Sequence, residues 1–369
     1  MTLGIVGGGQ LGRMLAEAAK KLGVDCVVLD PTPECPASAF ARHIVGDFTN
    51  HDAVMALAKE CDAMTFEIES ANAEALAELA AQGFPVHPTP ATLSLIKDKL
   101  RQKEFLAERG IPVAPFRRVA NVEEARAAGA TLGYPFVLKA RSGGYDGRGN
   151  ATVRVESDIE DAMARLGNNL YAEGWVPFEK ELAVVAVRSQ GGDIRAYPVV
   201  ETIHEDHICA TVLAPAPVNE LIAEKARALA KRILGAFEGA GVFGIELFLA
   251  DGEVLVNEIA PRVHNSGHFT MDACAVSQFE NHVRAVCGME LGETSMSVPA
   301  AVMVNILGQR SGPAAPSGIA EAEAQGARVH FYDKKETKPK RKMGHLNATG
   351  ATLEEALAKA TASRARVSI

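Results

Sequence analysis

Short apolar runs, separated by longer segments of helical periodicity, open the chain. Leu3 to Val6, Val27 to Leu29 and Ala63 to Phe66 read as buried strands, and helices are predicted from about Leu11 and about Asp52. This βαβ alternation implies a parallel sheet covered by helices, ended by Pro85, Pro88 and Pro90, with a boundary near residue 95. A helical segment from Leu93 to Arg109 leads to Gly110-Ile111-Pro112, after which strands predominate: Phe136 to Lys139, Thr152 to Val155, Leu170 to Ala172, Glu181 to Arg188 and Ala196 to Thr202. Glu220 to Gly239 predicts a long helix, since alanine, leucine and isoleucine recur at helical spacing against lysine and arginine. Gly241 to Leu249 and Glu253 to Glu258 are apolar, β-branched runs around Asp251-Gly252, a hairpin signal. After a polar connection from Gly288 to Pro299, the remainder alternates strand and helix in a small terminal unit.

A chain of 369 residues fits two or three modest domains. Its 47% hydrophobic and 23% charged residues are ordinary for a globular protein, and no apolar run reaches the roughly 18 residues of a membrane span. The N-terminus enters a strand directly, without the basic flank and cleavage site of a signal peptide, so a cytoplasmic setting is expected. Six cysteines without CxxC spacing are read as buried free thiols. The net charge of −8 argues against general nucleic-acid binding, so an anionic substrate would need a local basic pocket.

The chemistry concentrates around the hairpin. A strict two-residue turn would set Glu246 opposite Asn257, whereas a longer loop or a bulge would set it opposite Glu258. Either register gathers oxygen ligands of the kind that hold magnesium beside substrate phosphates. Gly7-Gly8-Gly9-Gln10-Leu11-Gly12 satisfies GxGxxG between a strand and a helix, with Asp30 ending the next strand; alone this suggests an NAD-dependent dehydrogenase, but physically it promises only a helix N-terminus that can receive an anion. Gly143 to Asn150, with four glycines, can lay backbone N–H groups over phosphates beside Lys139. No GxxxxGK[ST] is present. The segment Glu173 to Glu181 could offer backbone to an adenine edge and Glu181 to ribose hydroxyls. Lys334, Lys335, Lys338, Lys340, Arg341 and Lys342 form a basic cluster suited to a substrate phosphate. Glu67 and Glu69 follow the third strand, where ligands bind on open α/β sheets.

Taken together, GGGQLGRM, TFEIE, GYDGRGN, the Glu173 to Glu181 segment, ETIHEDH with APAP, NEIAPRVHNSGH and KRKMGH resemble, in order and over nearly the whole chain, the N5-carboxyaminoimidazole ribonucleotide synthetase family of ATP-grasp enzymes. The resemblance implies an α/β and α+β architecture. It comprises a Rossmann-like pre-ATP-grasp domain at 1–95, an ATP-grasp domain at 96–295 with a lid at about 115–178, and a C-terminal domain at 296–369. It implies that ATP is held by Lys99, Lys139, Gly144, Tyr145, Asp146, Gly147, Arg148, Gly149, Asn150, Glu173, Val176, Glu181, His204, Asn257 and Glu258, with magnesium on Glu246 and Glu258. The aminoimidazole ribonucleotide would lie among Gln10, Leu11, Glu67 or Glu69, Tyr145, Asp146 and Arg262 to Asn265, its phosphate facing Lys334, Arg341 and Lys342. Arg148, or Arg262 with His264, would orient bicarbonate, and Asn265 belongs to the same catalytic group. The implied reaction is ATP-dependent carboxylation of the ribonucleotide amine through carboxyphosphate, in a homodimer that could act with a carboxyaminoimidazole ribonucleotide mutase.

Lys99 stands where arginine is frequent in the family, and the words around Glu201 to Pro217 look closer to versions fused to that mutase. The nearest rival within the fold is a formate-dependent glycinamide ribonucleotide transformylase. The dehydrogenase reading leaves Glu246, Glu258 and GYDGRG without a purpose.

Overall fold

The computed structural model describes residues 1–143 and 149–369. Strands β1 (Thr2–Val6), β2 (Asp25–Asp30), β3 (Arg42–Val45) and β4 (Ala63–Phe66) form a parallel sheet in the order β3-β2-β1-β4. β3 has only half-buried and exposed residues, which is why apolar patterning passes over it. The helix Gln10–Lys21 follows β1 and buries Leu11, Met14 and Leu15.

The expected helix from Leu93 to Arg109 is two helices, Pro90–Lys97 and Lys99–Glu108. Asp98 makes the break: it takes extended dihedrals and its side chain caps the second helix at the N–H groups of Leu100 and Arg101. Lys99 and Lys103 therefore lie one turn apart on one face of that helix.

β5 (Phe116–Val119), β6 (Phe136–Ala140), β7 (Asn150–Val153) and β8 (Leu170–Gly174) form a separate antiparallel sheet in the order β5-β8-β6-β7. The β7 strand begins two residues before the expected Thr152, and pairs Asn150 with Lys139. The central sheet runs β14-β13-β9-β11-β12-β15-β19-β17, where β9 is Lys180–Arg188, β11 Val200–Glu205, β12 Ile208–Ala214, β13 Gly241–Ala250, β14 Glu253–Ala260, β15 Ala300–Leu307, β17 Ala327–Phe331 and β19 Lys342–Gly350. The short β10 (Ile194–Ala196) pairs with β9, and β16 (Gly312–Pro313) with β18 (Glu336–Thr337). The expected single strand from Ala196 to Thr202 is thus split between β10 and β11; Pro198 lies in the gap, without an N–H for a ladder. The helix Glu220–Ala236, capped by Asn219, packs Ala226, Ala230, Ile233 and Leu234 over β9 and β13. Among the described residues no helix is long and apolar enough to cross a membrane.

Candidate active site

The hairpin between β13 and β14 combines both registers allowed by the sequence. Its turn is tight, with Ala250 opposite Glu253 and positive φ at Asp251 (51°) and Gly252 (72°), as a type I′ turn requires. The ladder then slips between Glu246 and Leu247: Leu247 faces Val256, Asn257 bulges, and Glu246 faces Glu258. Two carboxylates therefore stand side by side on one face, and Asn257 Nδ2 donates to Glu246 Oε2 at 3.4 Å. Burial, followed by repulsion from Glu258, pushes the Glu246 carboxyl up to about 7. Lys99 Nζ meets Glu258 Oε2 at 2.9 Å. An all-oxygen pair with its carboxylates crowded together fits magnesium, which Glu246 and Glu258 would hold.

One helical turn from Lys99, the buried Lys103 donates to the Val256 carbonyl at 3.1 Å and meets Glu173 Oε2 at 2.8 Å. Lys139, at the end of β6, reaches Glu173 Oε1 at 2.6 Å. Glu173, expected at the adenine, thus has each carboxylate oxygen on a lysine and anchors Lys139. The Val176 carbonyl accepts from the Phe178 N–H at 2.9 Å in the link between β8 and β9. Glu181 on β9 pairs with His204 Nδ1 at 2.6 Å; burial opposes charge on His204, but the bond to Glu181 prevails and raises its pKa. Gly149 supplies its carbonyl to the Ala140 N–H, and Asn150 opens β7. Gly144, Tyr145, Asp146, Gly147 and Arg148 lie outside the described residues.

The glycine-rich turn after β1 is already filled. Glu67 Oε1 accepts from Gly9 N–H at 2.7 Å and Oε2 from Gly12 N–H at 3.2 Å, so a carboxylate of the chain caps the helix Gln10–Lys21. Asp30 accepts from the Gly8 and Thr32 N–H groups, both at 2.8 Å. The groups that would bind a dinucleotide are bonded to each other, which removes the physical basis of the dehydrogenase reading. Burial raises Glu67 to about 7 against the pull of those two N–H groups. Two residues on, Glu69 Oε1 takes Arg262 through Nε (2.9 Å) and Nη2 (2.7 Å). Burial tends to raise the Glu69 carboxyl, but Arg262 outweighs it and holds the pKa low.

The first helix and the segment before β19 meet here. Lys334 Nζ donates to Gln10 Oε1 at 2.7 Å and to the Lys342 carbonyl at 2.6 Å. Burial, then Arg341, lowers Lys334 to about 8. Arg341 donates to the Glu336 carbonyl at 2.6 Å. Leu11 is buried in the first helix. His264 Nε2 lies 3.6 Å from Glu246 Oε1, and its pKa is lowered to about 3 by burial, then by Arg262, Lys342 and His204. Gly244 on β13 permits that approach, since a Cβ there would lie 2.4 Å from the His264 Cβ. Asn265 is joined to Asn305 on β15 by reciprocal amide bonds of 3.1 and 2.6 Å.

The chain matches the ribonucleotide synthetase preATP-grasp domain over residues 1–97, the ATP-grasp domain over 104–279 and the phosphoribosylaminoimidazole carboxylase C-terminal domain over 301–359. Its fold superposes on the crystal structure of N5-carboxyaminoimidazole ribonucleotide synthetase from Thermotoga maritima with a TM-score of 0.91 at 43% identity, covering 100% of this chain and 98% of that one. The chain belongs to the N5-carboxyaminoimidazole ribonucleotide synthetase family.

Within that synthetase family, the Aspergillus clavatus enzyme in complex with ADP and 5-aminoimidazole ribonucleotide is 38% identical, with a TM-score of 0.91 over 99% of this chain and 98% of that one. The phosphoribosylaminoimidazole carboxylase of Ogataea methanolica is 46% identical over 370 residues, which are 96% of this chain and 67% of that protein. The chain spans about two thirds of the length of the fungal relatives it matches.

Sequence patterning did not single out Lys103, Ser266, Gln278, Asn305 or the Arg141 pair with Asp98, whose Nε to Oδ1 distance is 3.0 Å. Lys103 alone left a signal, its position four residues after Lys99. Ser266 acts on His264 only two residues away, while the others depend on contacts between separate segments.

Proposed function

We propose that this protein carboxylates 5-aminoimidazole ribonucleotide with bicarbonate at the expense of ATP, giving N5-carboxyaminoimidazole ribonucleotide, ADP and phosphate. The observation that carries the reading is the Glu246 and Glu258 pair, flanked by Lys99 and His264, in a chain whose Gln10 to Lys334 contact joins the first helix to the basic group of Lys334, Arg341 and Lys342. Bicarbonate has only hydroxide as a leaving group. Transfer of the γ-phosphoryl group to one of its oxygens gives carboxyphosphate; the exocyclic amine then attacks the carbonyl carbon, phosphate leaves, and the nitrogen loses a proton.

Such chemistry needs positioning and charge stabilisation more than covalent help from the protein. Magnesium, held by Glu246 and Glu258, would neutralise phosphate charge. Lys139, anchored by Glu173, would hold ATP phosphates, Glu181 the ribose, and Arg262 with His264 the bicarbonate. Lys334, Arg341 and Lys342 would grip the phosphate of the ribonucleotide. The proposal includes a homodimer in the cytoplasm whose product passes to a mutase.

The test is phosphate release from ATP with magnesium and bicarbonate, with and without aminoimidazole ribonucleotide, and a parallel assay with formate and glycinamide ribonucleotide. Stimulation by the first pair, with labelled bicarbonate entering the product, supports the synthetase. Stimulation by the second pair alone assigns the transformylase instead.

A further inference from the structure

Among the buried side chains that hold the turn from His264 to His268, Gln278 bonds both backbone groups of His264. Gln278 Oε1 accepts from the His264 N–H at 2.9 Å, while Gln278 Nε2 donates to the His264 carbonyl at 2.7 Å and lies 3.2 Å from His268 Nδ1. Because a backbone N–H can only donate and a carbonyl only accept, the orientation of this amide is fixed. Gln278 is fully buried, and Gly267 leaves room for it: a Cβ at residue 267 would lie 2.7 Å from the Gln278 Cδ.

The imidazole is fixed by similar logic. His264 Nδ1 lies 2.9 Å from Ser266 Oγ and accepts from the Ser266 backbone N–H at 3.4 Å. The backbone N–H at 3.4 Å makes Nδ1 an acceptor, and the nearer Ser266 hydroxyl at 2.9 Å, free to rotate, donates to the same lone pair; this arrangement favours the ring proton on Nε2, the atom facing Glu246 at 3.6 Å. That distance is beyond a hydrogen bond.

We propose that Ser266 and Gln278 are positioning residues: Ser266 fixes His264 as the Nε2–H tautomer, and Gln278, by holding the His264 backbone, aims this donor at the anion reacting beside Glu246. The alternative tautomer would turn a lone pair toward both the carboxylate and the anion and so repel them. With Nε2–H in place, an oxygen of bicarbonate or of the transferring phosphoryl group finds a donor already oriented. This inference rests on the proposed carboxylation for the identity of the anion, but not for the tautomer.

Nitrogen-15 NMR of histidine-labelled protein reads the tautomer directly, with His264→Gln identifying the resonances. The expected result is a pyridine-type Nδ1 and a pyrrole-type Nε2 for His264, replaced by a tautomer mixture in Ser266→Ala, which loses the 2.9 Å hydroxyl contact and keeps only the longer backbone one. Steady-state kinetics should show kcat lower by about tenfold in Ser266→Ala, the loss of roughly one hydrogen bond, with KM for ATP unchanged. Gln278→Met should lower kcat in the same manner if it folds; Ser266→Ala, a smaller change, keeps the test valid if it does not. A protonated Nδ1 in the parent protein, or a Ser266→Ala variant with the parent spectrum and kcat, overturns the proposal. Absence of bicarbonate-dependent turnover in the parent would remove the functional reading while the spectrum still decides the tautomer.

Discussion

Lys103 and Glu173 form a buried ion pair of 2.8 Å whose carboxylate is shared with Lys139 at 2.6 Å. Two ammonium groups surround one carboxylate, leaving an excess positive charge beside the expected phosphates. Glu173→Gln leaves two lysines without an anion and should destabilise the fold by roughly 3–5 kcal/mol. Lys103→Met leaves a neutral Glu173 to Lys139 pair and should cost less, about 1–2 kcal/mol. Denaturant unfolding of the two variants checks the order; equal losses would contradict the shared-carboxylate account.

Glu258→Gln removes one charge from the facing pair and the partner of Lys99. Magnesium-dependent phosphate release should fall by at least about a hundredfold, on the scale of lost transition-state charge stabilisation, with the circular dichroism spectrum unchanged. Normal turnover would disprove the metal assignment.

Lys334 and Arg341 should act on the ribonucleotide rather than on ATP. Lys334→Met removes a charged donor that Gln10 and the Lys342 carbonyl hold in place. It should raise KM for the ribonucleotide about 10- to 100-fold, as loss of a charged hydrogen bond does, with KM for ATP little changed. Arg341→Ala should shift the same constant in the same direction. An unaltered KM would take the residue out of the phosphate site.

Glu67 and Glu246 both have carboxyls raised to about 7. Each keeps its proton longer in the native state than in the unfolded chain, so the associated stability is full below about pH 4.5 and is lost as pH climbs through about 7. In metal-free protein the melting temperature should therefore fall between pH 5 and pH 8 through these groups. Glu246→Gln should flatten part of that slope, a change that thermal scans across the range would detect.

Gly244→Ala should be poorly tolerated, because its Cβ would lie 2.4 Å from the Cβ of His264. A loss of about 1–3 kcal/mol, typical of overpacking, should accompany displacement of the imidazole and a lower kcat. Parent-like stability and kcat would show that the turn has slack.

Much of this site could be read along the chain because its parts are local. The Asp251-Gly252 turn and its β-branched flanks announce the hairpin, and the choice between Asn257 and Glu258 opposite Glu246 stayed open only because a bulge leaves no compositional mark. The helix break at Asp98 was hidden for a different reason: no glycine or proline marks it, and the residue that ends one helix caps the next. The GxGxxG word misleads in isolation because the group that fills its anion site, Glu67, follows β4, well beyond the βαβ unit that carries the word. The pairing of Asn265 with Asn305, or of Gln10 with Lys334, follows only from the folded topology.

The continuity of the central sheet bears on how the molecule could be divided. β15 hydrogen-bonds along β12, pairing Thr211 with Val304 and Ala214 with Ala301, so the C-terminal strands are not an appendage joined by a linker. Cutting the chain near residue 300 would not release a self-sufficient module. It would strip a neighbour from β12, expose a row of unmated backbone groups, and leave both fragments prone to aggregate edge to edge.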